Sequence, residues 1–404
     1  MILKFRHLVL VIIFLVIIVI IGNVFIMIFK KYESINIDYY NELITKYKND
    51  KILLNCVLAG EWLVRNQHED GRFNYEYYPY QDKYSLGYNI IRHASTTYSL
   101  AKLYRDTRLT EFMECTLKGI KYLQKYFRIS PLGKYVDDGF YPNHLGSTAL
   151  TILAMIEYEE ATNDTTFVND IKEMGEFLKA QQNPNGSLNC YYYSDKKISY
   201  GLDDYYIGEG VLAAVRLYEF TGSYDYYVFL EKAFSYCKDY YIDKGLNPFA
   251  PWGVEAFVRW YKYSKDSKVL DFCYRISDDI LEHQYLPGDD CPSDYIGGFG
   301  KIKNRVPGAS TASDIEAVVD TYYLANITNN KTKMSQYKDN IILAVEFLIN
   351  LQIDKNDALE YPNPGRVIGA IPLTLSNSKI RIDHMQHTIV TLLKVRDYGI
   401  EIVF

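Results

Sequence analysis

LYRDT, residues 103–107, closes one amphipathic run of the 404-residue chain, and four later runs close in kind: EYEEAT (157–162), LYEFTG (217–222), WYKYS (260–264) and LANIT (324–328). After each comes a short polar turn and a new helical pattern. Self-similarity at a period of about 45 to 70 residues marks a repeat architecture, in which no unit can bury its apolar face alone.

Working outward from these endings, the helical patterns fall into two kinds. One kind keeps charges on a solvent face: Lys51–Gln67, Glu111–Phe127, Phe167–Gln182, Tyr226–Tyr241, Lys268–Tyr285 and Met334–Leu351. The other is small and apolar on more than one face: Arg92–Tyr104, Leu145–Tyr158, Ile207–Tyr218, Trp252–Tyr263, Ala312–Leu324 and Ile382–Val395. A helix that is apolar nearly all round must be enclosed by others. Alternation of the two kinds therefore predicts an all-α double ring of six hairpins, inner helices walled by outer ones, over residues 50–404. Long connections rich in Gly, Pro and aromatic residues leave the outer helices, so they gather at the end bearing the inner-helix N-termini. Long loops of that sort usually carry function, and converging N-termini offer free amides and positive dipole ends.

Ahead of the ring, residues 1–7 form a short flank, residues 8–29 run without a charge for long enough to span a bilayer as a helix, and residues 30–49 read as a linker. No small-x-small cleavage pattern follows the apolar run, which predicts a retained single-pass anchor and the bilayer as a partner. Sequons at Asn163, Asn185, Asn326 and Asn330 favour an extracytoplasmic or lumenal toroid. The formal net charge of -6, with Lys and Arg scattered, leaves no basic face for nucleic acid. The six cysteines show no CxxC and no zinc-ligand spacing, so neither a metal nor another cofactor is expected. Cys190 and Cys291 lie in loops and could pair outside the cell.

Twelve helices in alternating rings, with QHEDG (67–71) and QNPNG (182–186) after two outer helices, resemble the (α/α)6 toroids of carbohydrate-active enzymes. Six-hairpin glycosidases, uronate lyases and sugar epimerases share that architecture. The closing Arg381-Ile382-Asp383-His384 with His387 is weakly similar to the end of membrane-anchored glucuronyl epimerases. The resemblance implies a glycan ligand and acid–base chemistry, either glycoside hydrolysis or epimerisation of a uronic acid. Terpene cyclases use a related toroid, but neither a DxDD motif nor an Asp/Cys/His zinc set is present, and an isoprenoid ligand would need an apolar cavity. An inert toroid that binds glycan or protein at the membrane is the other alternative.

Polar residues where inner helices begin are the candidate site. Glu209 lies twelve residues before Thr221 and Glu316 twelve before Thr328, equivalent positions in units three and five. Two carboxylates at one depth could act as acid and base. Asp383, His93 and His387 are the further catalytic candidates. Arg92, Arg381, Trp252, Asp204, Tyr205, Asp138, His144 and Asp314 are candidates for substrate binding. Arg92 and His93 open the first inner helix and the RIDHMQH segment opens the last. These become neighbours on ring closure, where arginine could fork onto a uronate carboxylate and histidine could move a proton. The competing role is a clasp between first and last units, as first-turn acids can equally complement helix dipoles. Aromatic loop residues, among them Tyr75, Tyr77, Tyr78, Tyr80, Tyr135, Phe140 and Tyr191 to Tyr193, add stacking surface for sugars.

Overall fold

The computed structural model describes residues 37–139, 143–193, 196–198, 204–242, 244 and 248–402. Helix α1 (Ile37–Tyr47) is followed by α2 (Lys51–Arg65), α3 (Ile90–Thr107), α4 (Thr110–Gln124), α5 (Leu145–Thr162), α6 (Val168–Ala180), α7 (Asp204–Thr221), α8 (Tyr224–Tyr241), α9 (Ala250–Ser264), α10 (Ser267–Leu281), α11 (Ser310–Ile327), α12 (Lys331–Leu351), the short α13 (Pro364–Val367) and α14 (Ile382–Asp397). Helices α3, α5, α7, α9, α11 and α14 each pack on the next, and α14 packs back on α3. This is a closed inner ring. Composition explains who goes inside: 16 residues of the 18-residue α5 are buried, against five of 13 in the outer helix α6.

The repeated endings are helix stops. The hydroxyls of Thr107, Thr162, Thr221 and Thr328 donate to the carbonyls four residues back, at 2.6 to 2.7 Å. The first three also accept from the amide two residues on. The residue after each, Arg108, Asn163, Gly222 and Asn329, turns left-handed, as does Lys265 after Ser264. One hydroxyl thus satisfies both sides of a turn only two to five residues long.

The glutamine motifs are staples between outer helices. Gln67 Nε2 donates to the Cys115 carbonyl of α4, Gln182 to Phe229 of α8, Gln284 to Asn340 of α12, and Gln352 to Asn55 of α2. The last bond closes the outer ring. Gly71 (φ +93°) brings its loop onto α4 so closely that a Cβ would sit 2.1 Å from the Lys118 carbonyl oxygen. Gly369 (φ +85°) does the same against Leu58 of α2, so both positions require glycine.

Short strands occupy the connections from outer to inner helices: β1 (Glu76–Tyr78), β2 (Lys83–Tyr84), β3 (Phe127–Ser130), β4 (Gly133–Val136), β5 (Asn143–His144), β6 (Tyr191–Tyr193), β7 (Lys196–Ile198), β8 (Pro372–Thr374) and β9 (Asn377–Arg381). They form sheets ordered β2-β1-β9-β8, β3-β4 and β5-β6-β7. Pairing of Glu76 with Arg381 and Tyr77 with Ile380 joins the first loop to the last at the ring seam. These pieces are too short to show period-two patterning in sequence.

Two expectations change. The segment read as a linker contains α1, which packs on α2 through buried Tyr40 and Leu43. Cys190 is fully buried with Cys237 as its electrostatic neighbour, not Cys291, and none of the six cysteines is in a disulfide. Among the described residues no helix is long and apolar enough to cross a membrane; the 8–29 run lies outside them.

Candidate active site at the inner-helix N-termini

The seam gathers the densest polar cluster at the mouth. Arg381, the N-cap of α14, forks onto Asp383, with Nε 2.9 Å from Oδ1 and its other nitrogen on Oδ2. Arg92 Nε, from the first turn of α3, lies 3.3 Å from the same Oδ2. Burial would raise the Asp383 carboxyl's pKa, but His384, Arg381 and Arg92 outweigh it and hold the group below the usual carboxylate range. Each guanidinium also faces an aromatic ring: Arg92 lies 5.6 Å from the Tyr205 centroid and Arg381 5.7 Å from that of Tyr75. Both arginines keep some solvent exposure, so N–H groups remain for a ligand anion.

Glu209 reaches this neighbourhood from α7. Its carboxyl lies against Gly146 of α5, where a Cβ would meet Oε2 at 2.0 Å. Its charge, with that of Asp383, outweighs burial and raises the pKa of Arg92. His144, the N-cap of α5, packs against Tyr191 and Tyr206 at 5.4 and 5.0 Å. Tyr205 and Tyr80 are exposed. Asp204, by contrast, accepts from the outer-helix Tyr241 hydroxyl at 2.9 Å.

Asp314 stands near the start of α11, the inner helix beside α14. It is half-buried yet densely surrounded by protein, and no hydrogen bond or ion pair to a described residue reaches it. Desolvation with no cation to offset it pushes the carboxyl up to about 7.

Deeper on the axis the ring is filled. Trp252 is buried, its ring 6.4 Å from Tyr98 of the opposite helix α3 and 5.5 Å from His387. Beneath this floor Lys394 is caged by Glu255, Glu316 and Asp320 at 2.7, 2.8 and 2.8 Å. Glu316 also holds His387 Nδ1 at 3.0 Å. Burial disfavours charge on Glu316, but Lys394 and His387 prevail and lower its pKa.

The sequence-derived candidates therefore separate. Arg92, Arg381, Asp383, Tyr205 and Glu209 come together at the mouth. Glu316 does not meet Glu209: their helices are separated in the ring by α9, and Glu316 is engaged below the floor. His93 turns outward, its Nε2 3.1 Å from the Gly119 carbonyl of α4 and its ring stacked on Tyr122 at 5.2 Å. Burial lowers its pKa to about 4. His384 is likewise buried, which lowers its pKa to about 4, with a ring nitrogen on the Ile371 carbonyl. Among the aromatic candidates, Tyr77 is buried, and Tyr135 and Tyr192 pack with Phe177 in a small core of their own. Asp138 sits in the loop beyond β4, within electrostatic range of Tyr88. Phe140 and the 8–29 run lie outside the described residues. Sequence reasoning missed Lys394 and Asp320; the available signal was isolated charges inside apolar helices, with Glu316 and Asp320 four residues apart on one face.

Neither a family model nor a curated protein sequence matches the chain. Solved structures do. A GH76 α-mannanase of Bacteroides thetaiotaomicron superposes with a TM-score of 0.60 at 13% identity, covering 88% of this chain and 98% of that one. An unsaturated glucuronyl hydrolase specific for heparin gives 0.61 at 12% identity, covering 87% and 98%. A sugar epimerase from a ruminal bacterium gives 0.60 at 12%, covering 84% and 96%. The likeness is one of fold: the (α/α)6 toroid seen here is shared with these solved carbohydrate-active enzymes.

Proposed function

We propose that this (α/α)6 toroid is a carbohydrate-active enzyme that works by general acid–base chemistry on a glycan containing uronic acid. The reading is carried by the two-arginine clamp that Arg92 of α3 and Arg381 of α14 form around Asp383 at the ring seam, with Asp314, whose carboxyl burial pushes up to about 7, near the start of the adjoining helix α11. Arg92 and Arg381, oriented by Asp383, offer N–H groups to a sugar carboxylate, and guanidinium geometry suits a planar carboxylate better than a neutral hydroxyl. Asp314 can give a proton to a leaving oxygen, or return one to the carbon beside the carboxylate. An acid with a pKa near the working pH is best placed for such transfers. Glu209 is the second carboxylate, and Tyr205, Tyr75 and His144 supply stacking faces. His387, fixed by Glu316, supports the floor from below. The apolar 8–29 run would hold the enzyme on a membrane with the toroid outside the cytoplasm, where glycans are.

The test incubates the full-length protein with uronate-containing and neutral oligosaccharides, reading reducing-end release and, in D2O, deuterium uptake beside the carboxylate. Turnover confined to uronate substrates, and lost in Asp314→Asn and Arg92→Gln, supports the assignment. Turnover of neutral glycans unaffected by either substitution removes it. A second reading, glycan binding without turnover, draws on the way Arg92, Arg381 and Asp383 satisfy one another as a seam clasp. Binding with neither product would select it.

A further inference from the structure

The opposite end of the ring carries a cavity that the glycan reading does not use. Its volume is about 230 Å³, and it is bounded by the C-terminal halves of α3, α9, α11 and α14. Tyr98 and Trp252 close the axis between it and the mouth. Five cations and three carboxylates line it: Lys102, Arg105, Arg259, Lys262 and Lys394 against Glu255, Asp320 and Asp397.

The pairing of those charges identifies what is missing. Every lining carboxylate already has a cation: Glu255 and Asp320 share Lys394, Glu255 also takes Arg259 at 2.9 Å, and Asp397 takes Arg105 at 2.8 Å. The Tyr398 hydroxyl donates to Asp320 as well, at 2.8 Å. A cationic ligand would find no free acid. The cations are not all matched. Lys102 is buried, 3% exposed, and among the described residues its ammonium hydrogen-bonds to the Tyr98 hydroxyl alone, at 3.1 Å; Glu255 and Glu157 act on it electrostatically from beyond ion-pair distance. Exposed Lys262 at the rim rests 5.3 Å from the Tyr323 ring centroid, again with no ion pair among the described residues. A buried ammonium with two unused N–H donors is costly unless something accepts from it.

We propose that this rear cavity is a binding site for a small oxyanion, a phosphate, sulfate or carboxylate group, seated on Lys102 with Lys262 guarding the entrance. The volume accommodates such a group with a short organic substituent. The floor that separates it from the mouth makes it a second site. Its nearest link to the mouth runs through Lys394, Glu316 and His387.

Thermal unfolding of the full-length protein, with sodium sulfate or phosphate titrated against sodium chloride at matched ionic strength, tests the assignment. Wild type should show a saturable rise in Tm with sulfate and phosphate that chloride does not give. Lys102→Met should abolish that rise, and Lys102→Arg should retain it. Lys262→Glu, at an exposed position that tolerates substitution, should raise the half-saturating concentration at least tenfold and decides the matter should Lys102→Met not fold. A wild-type response no larger than chloride's, or one unchanged in both Lys102→Met and Lys262→Glu, overturns the proposal in favour of Lys102 being solvated by water and helix carbonyl ends.

Discussion

At the scale of single residues, equal spacing did not mean equal surroundings. Glu209 and Glu316 occupy equivalent positions, yet Glu209 lies against Gly146 of α5 while Glu316 is met by Lys394 from α14, 78 residues on. No local pattern reveals a partner at that separation. Asp314 was legible as a polar residue at the mouth, but not its altered acidity, which comes from crowding by protein atoms without a compensating cation. The arginine cluster was legible, since RH and RIDHMQH begin the two helices that ring closure must join. Lys394→Met removes the cation that three buried carboxylates share and leaves Asp320 with the Tyr398 hydroxyl in place of an ammonium, at a cost of about 3 to 5 kcal/mol. A large fall in the urea midpoint checks this, and a midpoint within error of wild type would show that the cage contributes little.

At the scale of elements, helices and their order could be read because packing demands the pattern, whereas the purpose of the repeated motifs could not. The glutamine-to-glycine stretches carry the family resemblance, yet they staple one outer helix to the next and take no part in the mouth. Gln352→Ala strands the buried Asn55 and Gly369 carbonyls, which its Nε2 meets at 3.1 and 2.8 Å. The expected loss is about 1 to 3 kcal/mol per abandoned acceptor, read as a lower denaturation midpoint.

Helix α1 makes a pH-dependent contact of its own. The Tyr39 hydroxyl lies 2.7 Å from Glu111 and 3.3 Å from Glu61. Burial, helped by Glu111 and opposed by Arg65 and the Tyr39 hydrogen bond, pushes Glu61 up to about 7. Unfolded, Glu61 keeps its ordinary value of 4.5. Above pH 7 both states are ionised and the folded state bears a buried charge. As pH falls from 7 to 4.5 the folded state takes the proton first, so stability rises through that window and levels off below it. Each pKa unit corresponds to about 1.4 kcal/mol. Glu61→Gln should therefore have a higher Tm than wild type at pH 8, with the advantage shrinking by pH 5. An advantage constant across that range would contradict the assignment.

At the scale of the whole molecule, closure is the organising fact. The ring's first and last units meet in the β1–β9 pairing, the α14–α3 contact and the Gln352 staple. Only closure brings Arg92 within 3.3 Å of Asp383, 291 positions away. Trp252 then plugs the axis, and Trp252→Ala should cost about 3 to 5 kcal/mol by leaving a cavity, measured as a fall in denaturation midpoint. A near-neutral outcome would mean that the lumen collapses around the loss.

The pH dependence of kcat/KM on a uronate oligosaccharide tests the central claim most directly. With Asp314 acting as a protonated acid, the rate should be flat below its pKa and fall as pH rises through about 7, and Asp314→Asn should lower it by about 10² to 10⁴ and remove that limb. An unchanged limb in the folded Asp314→Asn protein would contradict it.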